Sequence, residues 1–134
     1  MSTKQLGDLG EDLACEYLVK NGYKIIGKNY RISFGEIDIV ARKKFKLFGK
    51  RDRAVHFVEV KTLDSSGGRL TSARNFYPEE HVDWKKQNKY KRLVEIWLLK
   101  NKFPQNYPCQ VDVIAITMMG DEPKIDFFEN VVSG

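Results

Sequence analysis

Apolar residues recur at helical spacing from about Thr3 to Asn21, where Leu6, Leu9, Leu13, Tyr17 and Leu18 form one stripe. Gly22 follows as a stop signal. Beside the stripe runs a strip of small residues, Gly7, Gly10 and Ala14. A glycine inside a helix costs about 1 kcal/mol relative to alanine, so the strip predicts close approach of this helix to a sheet. The period then changes. Tyr23 to Tyr30, Gly35 to Ala41 and Ala54 to Lys61 read as strands, the last two joined by a basic hairpin connection from Arg42 to Arg53. Thr62 to Pro78 reads as a loop, with Ser65-Ser66-Gly67-Gly68 near its start. A second helix is predicted from Glu79 to about Lys102, with the stripe Val82, Tyr90, Leu93, Val94 and Trp97. Gln110 to Thr117 and Lys124 to Glu129 read as two further strands, the last at an edge. The order α-β-β-β-α-β-β predicts an α/β fold, a mixed β-sheet flanked by helices.

Two of these strands carry acids where apolar side chains are expected. In Gly35-Glu36-Ile37-Asp38-Ile39-Val40-Ala41, strict alternation puts Asp38 on the face of Glu36, opposite Ile37, Ile39 and Ala41. In Val55-His56-Phe57-Val58-Glu59-Val60-Lys61, Glu59 and Lys61 share a face with Phe57. Taken singly, a carboxylate in a strand is more often a solvated edge residue than a ligand. Here both strands have the composition of strands covered on both faces, and burying charge there is costly unless something uses it. An acid on one strand and an acid-x-lysine on the next suit metal-dependent phosphodiester hydrolysis. Asp38 and Glu59 are the expected metal ligands, with the carbonyl of Val60 as a further oxygen, and Mg²⁺ (or Mn²⁺) as the ion. Lys61 is expected to orient the attacking water and stabilise developing charge. Glu11, on the edge of the small-residue strip, is the expected outer acid.

Composition narrows the class. At 134 residues the chain predicts a single domain, 1–134, and 42% hydrophobic against 31% charged residues fits a folded globular protein rather than a disordered one. No apolar run approaches the ~20 residues that span a membrane, and the N-terminus lacks the apolar region of a signal peptide, so a cytoplasmic protein with no membrane partner is expected. Cys15 and Cys109 have no metal-binding spacing and His56 and His81 do not cluster with them, which argues against a zinc site and for free thiols. The net charge of +5 leans toward a polyanionic partner.

Several basic residues fit that partner. Lys86 falls in the middle of the second helix's apolar stripe and Lys89 at its margin; Lys86 either snorkels to solvent or points into the acidic cleft and contacts phosphate. Lys43 and Lys44 in the basic connection, and Arg69 and Arg74 in the long loop, suit phosphate contacts on either side of a cleft. Phe45 and Phe48 are candidates for base stacking, against the plainer view that the connection only solubilises. His56 reads as a core or edge histidine. Asp112 reads as a supporting or structural acid.

The residues Gly7-x-x-Gly10-Glu11-x-x-Ala14-x-x-Tyr17-Leu18, Gly22-Tyr23, Asn29-Tyr30-Arg31, Gly35-Glu36-Ile37-Asp38-Ile39-Val40-Ala41 and Phe57-Val58-Glu59-Val60-Lys61-Thr62 resemble the YraN-like family of uncharacterised bacterial proteins. The likeness continues through Lys86 and Asp112-Val113-Ile114, so it covers nearly the whole chain. That family is similar to the archaeal Holliday-junction resolvases and to the PD-(D/E)XK, restriction-endonuclease-like fold. The resemblance implies a restriction-endonuclease-like core with Asp38, Glu59 and Lys61 as its catalytic set, Glu11 as the helix-borne acid and Lys86 as an additional lysine. The chain departs from the pattern in two places. Arg42 to Arg53 is longer than the usual short turn, and Gln110-Val111 stands where an arginine and an aromatic are common.

These readings converge on a metal-dependent endonuclease acting on DNA, in particular branched DNA, for which a homodimer would supply the two active sites that junction cleavage needs. The alternative is a nucleic-acid-binding module on the same fold that does not cut. A third is a protein whose carboxylates are structural and whose partners are proteins.

Overall fold

The structure is a computed structural model that describes residues 2–44, 46–47, 50–51, 53–64 and 84–131. Helix α1 (Thr3–Lys20) opens on a capping box. The Ser2 hydroxyl accepts from the Gln5 N–H at 3.1 Å, and the Gln5 side chain accepts from the Ser2 N–H at 2.8 Å. Asn21 closes the helix, and Gly22, with φ of 87°, turns the chain into β1 (Tyr23–Ile32). Then come β2 (Gly35–Lys43), the short pair β3 (Lys46–Leu47) and β4 (Lys50–Arg51), β5 (Val55–Asp64), α2 (Trp84–Lys100), β6 (Cys109–Met119) and β7 (Glu122–Phe128).

Five strands form one sheet in the order β1-β2-β5-β6-β7, while β3 and β4 pair only with each other. The β5–β6 pair is parallel and the other neighbours are antiparallel, so the sheet is mixed. A parallel pair needs a crossover, and α2 lies in that connection. The predicted order of elements is therefore the observed one, with the basic connection adding a small hairpin of its own. β5 runs three residues past Lys61, because its parallel ladder with β6 continues to Asp64 opposite Met118. The predicted loop thus starts later than Thr62. Its remainder, the start of the second helix before Trp84, and the residues Phe45, Phe48, Arg69, Arg74, His81 and Val82 lie outside the described residues.

Two cores sit on opposite faces of the sheet. On one, Leu93, Val94, Trp97 and Leu98 of α2 pack on Ile37, Val40, Val55, Phe57 and Val111. On the other, Ala14 and Leu18 of α1 pack on Tyr23, Ile39, Ala41, Val58, Ile114 and Ile116. The buried positions of α1 are Gly10, Ala14 and Leu18, so the small residues, rather than Leu6, Leu9 and Leu13, make its closest contact. A Cβ on Gly10 would overlap the Thr62 hydroxyl and lie 2.8 Å from Thr62 Cβ. The close approach predicted from the glycines thus holds at Gly10. It does not hold at Gly7, where a Cβ would meet nothing within 4 Å.

Candidate active site

The acids gather where the ladder between β2 and β5 ends. These strands pair at Ala41–His56, Val40–Phe57 and Ile39–Val58, and no further pair forms between them. At the next step the Val60 N–H, which has no β2 carbonyl to meet, donates to Asp38 Oδ2 at 2.9 Å. A side chain has replaced the backbone rung, and the two strands fork around it.

The fork also changes the faces of β2. Ile37 packs with Val40 on the α2 side, whereas Ile39 and Ala41 pack on the α1 side. Strict alternation had placed Ile37, Ile39 and Ala41 together, so the period breaks at Asp38. The partner strand is irregular at the same level. Asn29, which the β1–β2 register sets opposite Asp38, makes no ladder pair and has φ of 51°. That left-handed conformation is one that asparagine tolerates better than most residues.

Glu11, Asp38, Glu59, Val60 and Lys61 line one cleft of about 460 Å³, together with Glu36 and Thr62. The close seating of Gly10 against Thr62 carries Glu11, the next residue along α1, to this cleft. With its amide nitrogen turned toward the carboxylate, Asn29 donates to Glu11 Oε1 and Oε2 at 3.0 and 3.2 Å. Lys61 Nζ pairs with Glu59 Oε1 at 2.8 Å, both side chains being about one-third exposed (38% and 35%). Glu36 is on the outer rim, paired with Arg31 at 2.9 Å.

Burial pushes the Asp38 carboxyl up to about 6, against the lowering effect of the Val60 N–H; Glu11, Glu59 and Glu36 add like charge in the same direction. Burial also raises Glu11, with Asp8 as the next contributor. A carboxylate held unfavourably among other carboxylates is the electrostatic setting that a divalent cation relieves. The carboxylates of Asp38 and Glu59 and the carbonyl of Val60 could offer oxygen ligands to a hard cation of the Mg²⁺ or Mn²⁺ kind.

The basic residues named from the sequence are distributed otherwise. Lys43, the last residue of β2, and Lys44 after it are exposed beyond the stretch that pairs with β5, and Lys89 is exposed on α2. Lys86 lies in the first turn of α2, and its side chain, like Arg69 and Arg74, is outside the described residues.

Two residues escaped sequence reasoning. Asn29, which orients Glu11, belongs to the Asn29-Tyr30-Arg31 part of the family pattern, but no role was attached to it. Tyr90 looked like one member of an apolar stripe, yet its hydroxyl is buried and has no hydrogen-bond partner among the described residues. Burial raises its pKa well above the usual value, and the negative charges of Glu59, Asp38 and Asp112 add to that shift.

A second cluster of titratable groups lies in the core around His56 and Asp112. His56 and Asp112 are fully buried, with His56 Nδ1 2.7 Å from Asp112 Oδ2. Glu129 brings a carboxylate to the same cluster, within 4.8 Å. The other Asp112 oxygen accepts from Gln110 Nε2 and the Asn130 N–H, each at 2.8 Å. Asp112 therefore ties β5, β6 and the segment after β7 together, as a satisfied buried network should, and His56 is the core histidine expected of it. Cys15 and Cys109 are free, as expected. No helix among the described residues is long and apolar enough to cross a membrane.

Comparison with known proteins assigns the chain to a family. The model of the uncharacterised protein family UPF0102 matches residues 10–116, which span the helix-borne acid, the fork and most of β6. A UPF0102 protein of Caldicellulosiruptor bescii is 37% identical over 120 residues, 90% of this chain and 88% of its own. One from Thermotoga maritima is 37% identical over 124 residues, 92% and 94% of the two chains. One from Clostridioides difficile is 35% identical over 130 residues, 97% and 98% of the two. Identity at this level, carried across nearly the full length of both partners, makes the chain a member of the UPF0102, YraN-like family.

Proposed function

We propose that the chain is a metal-dependent endonuclease that hydrolyses phosphodiester bonds in DNA, with branched DNA as the preferred shape. One observation carries the reading: Asp38, Glu59 and Lys61 line one open cleft at the fork between β2 and β5, and Glu11 lines it from α1. The similarity of the YraN-like pattern to the restriction-endonuclease-like nucleases supports the same assignment.

Asp38, Glu59 and the Val60 carbonyl would hold Mg²⁺ or Mn²⁺, which when bound supplies charge neutralisation at the phosphate and a more acidic water. The chain's own groups do the rest. Asp38 is held in place by the Val60 N–H, so its free oxygen has a fixed direction. Lys61 sits 2.8 Å from Glu59 and brings a cation to the reacting phosphate, where it stabilises the growing negative charge and orients water. Glu11, itself oriented by Asn29, completes the acidic wall and accepts a hydrogen bond from water on the α1 side. Lys86, Lys89, Lys43, Lys44, Arg69 and Arg74 are the proposed contacts to the nucleic-acid backbone, and a homodimer is the proposed form for junction cleavage.

The test is cleavage of labelled duplex, single-strand, flap and four-way-junction DNA with Mg²⁺, Mn²⁺ or EDTA. Wild type is compared with Asp38→Ala and Lys61→Ala. Metal-dependent cutting that falls at least about a hundredfold in both variants is the expected result, the scale typical of losing one charge-stabilising group. Equal residual cutting by wild type and both variants would sink the assignment.

A further inference from the structure

The net positive charge of this chain comes from one segment of its sequence. Segment 42–53 holds seven of the 23 basic residues and one of the 18 acidic ones, a net +6 against +5 for the whole chain, so all the rest sums to −1. The base of that segment is firmly built. The Arg42 guanidinium lies 5.5 Å from the centroids of both Phe103 and Tyr107, and it donates to the Tyr107 hydroxyl at 2.5 Å. Arg53 lies 5.9 Å from the same Tyr107 ring. The Lys44 N–H donates to the Gly22 carbonyl at 2.8 Å, tying the base to the turn after α1. Among the described residues Arg42, Lys44 and Arg53 form no ion pair with a carboxylate. The two guanidinium groups are held by aromatic rings and Lys44 by its backbone, contacts that place the three residues without neutralising their charge.

The acid cleft has the opposite character. Asp8, Glu11, Glu36, Asp38 and Glu59 line it against Lys4, Arg31 and Lys61, and two of those cations are already paired, Lys61 with Glu59 and Arg31 with Glu36. Such a cleft repels a polyanion until a cation is bound, so the affinity for a phosphate backbone has to come from elsewhere on the molecule. The three paired rows between β2 and β5 separate the two regions. From Asp38 to Lys44 is six residues of extended chain, roughly 20 Å at ~3.3 Å each. That equals about six base-pair steps of duplex.

We propose that Arg42, Lys44 and Arg53 form a backbone anchor for double-stranded nucleic acid, distinct from the acid cleft. Its distance from the cleft sets a minimum length of duplex beside the scissile phosphate. The anchor stands on charge and geometry alone; the length requirement rests on the nuclease reading.

The experiment compares wild type, Lys44→Glu/Arg53→Glu, and a control with the same change in net charge, Lys100→Glu/Lys124→Glu. All four residues are exposed, so folding should survive, as circular dichroism would verify. Binding to a labelled duplex of about 30 base pairs is measured in EDTA over a salt series, where the slope counts phosphate contacts. The expected result is a loss of at least about tenfold in affinity and a salt slope shallower by about two for Lys44→Glu/Arg53→Glu. The control should lose much less. Equal losses in both variants, or an unchanged slope, overturn the anchor. Anchor-dependent binding without cutting in Mg²⁺ would leave the anchor standing and remove the nuclease. Cutting with the same KM on duplexes of about 5 and about 30 base pairs would remove the length requirement and leave the nuclease.

Discussion

Asp38 occupies a position that the folded state tolerates poorly. Its carboxyl is raised from 3.8 to about 6, by burial first and by neighbouring acids second. The sign of the linkage follows. Between about pH 4 and pH 6 the folded chain binds more protons than the unfolded chain, so stability falls as pH rises through that window. Two pH units correspond to roughly 3 kcal/mol. Asp38→Asn keeps an oxygen to accept the Val60 N–H and removes the charge. It is therefore expected to be more stable than wild type by about 1–3 kcal/mol at pH 7.5, to match it near pH 4, and to be inactive. Chemical denaturation at the two pH values measures this directly. A variant less stable than wild type at pH 7.5 would show that the carboxylate stabilises the fork, and that its environment is not the strained one described here. Cleavage should follow the same group: activity falls as pH drops through about 6, where Asp38 takes up its proton.

Among the elements, α1 shows how one contact face serves both packing and site. Gly10 meets Thr62 so closely that an added methyl has no room, whereas Gly7 has open space around it. Gly7→Ala is expected to stabilise by up to about 1 kcal/mol, the ordinary gain of alanine in a helix. Gly10→Ala is expected to cost about 1–3 kcal/mol through overpacking and to lower activity, because α1 carries Glu11. Thermal melts of the two variants decide the point, and similar effects from both would mean that the contact at Gly10 is slack. The same helix shows what was legible in the sequence. The glycines announced a close approach but not which of them made it, since that depends on Thr62 across the interface. Strands, their order and the basic hairpin followed from period and punctuation. The set Glu11, Asp38, Val60, Glu59 and Lys61 was proposed from acids misplaced in apolar strands, and all five residues line one cleft. The fork was not legible. Alternation is a property of a regular ladder, and at Asp38 the ladder stops and Ile37 crosses to the other core. Asn29 and the His56–Asp112 pair were obscure for a related reason: each is defined by a partner distant in sequence.

For the molecule as a whole, the cleft is a junction of four elements, α1 through Glu11, β1 through Asn29, β2 through Asp38 and β5 through Glu59 and Lys61. An ion bound there would contact groups that the unfolded chain scatters, so binding and folding are linked. At a concentration of about 100 times its Kd, a ligand specific for the folded state adds roughly 2.7 kcal/mol. Mg²⁺ is therefore expected to raise the melting temperature by several degrees at pH 7.5, where Asp38 is ionised. The shift should shrink at pH 5, where a proton occupies the same carboxyl. Asp38→Asn should lose most of the shift at both pH values, although it starts from a higher melting temperature. This pairing separates the site from general ionic effects. Added salt screens the like charges of Glu11, Asp38 and Glu59 in any divalent or monovalent form, but only a bound ion depends on one carboxylate and on its protonation. A shift of equal size with Mg²⁺ and with NaCl of matched ionic strength would remove the metal from the cleft. An Mg²⁺-specific shift lost in Asp38→Asn would tie the strain in the folded chain to the ion that relieves it.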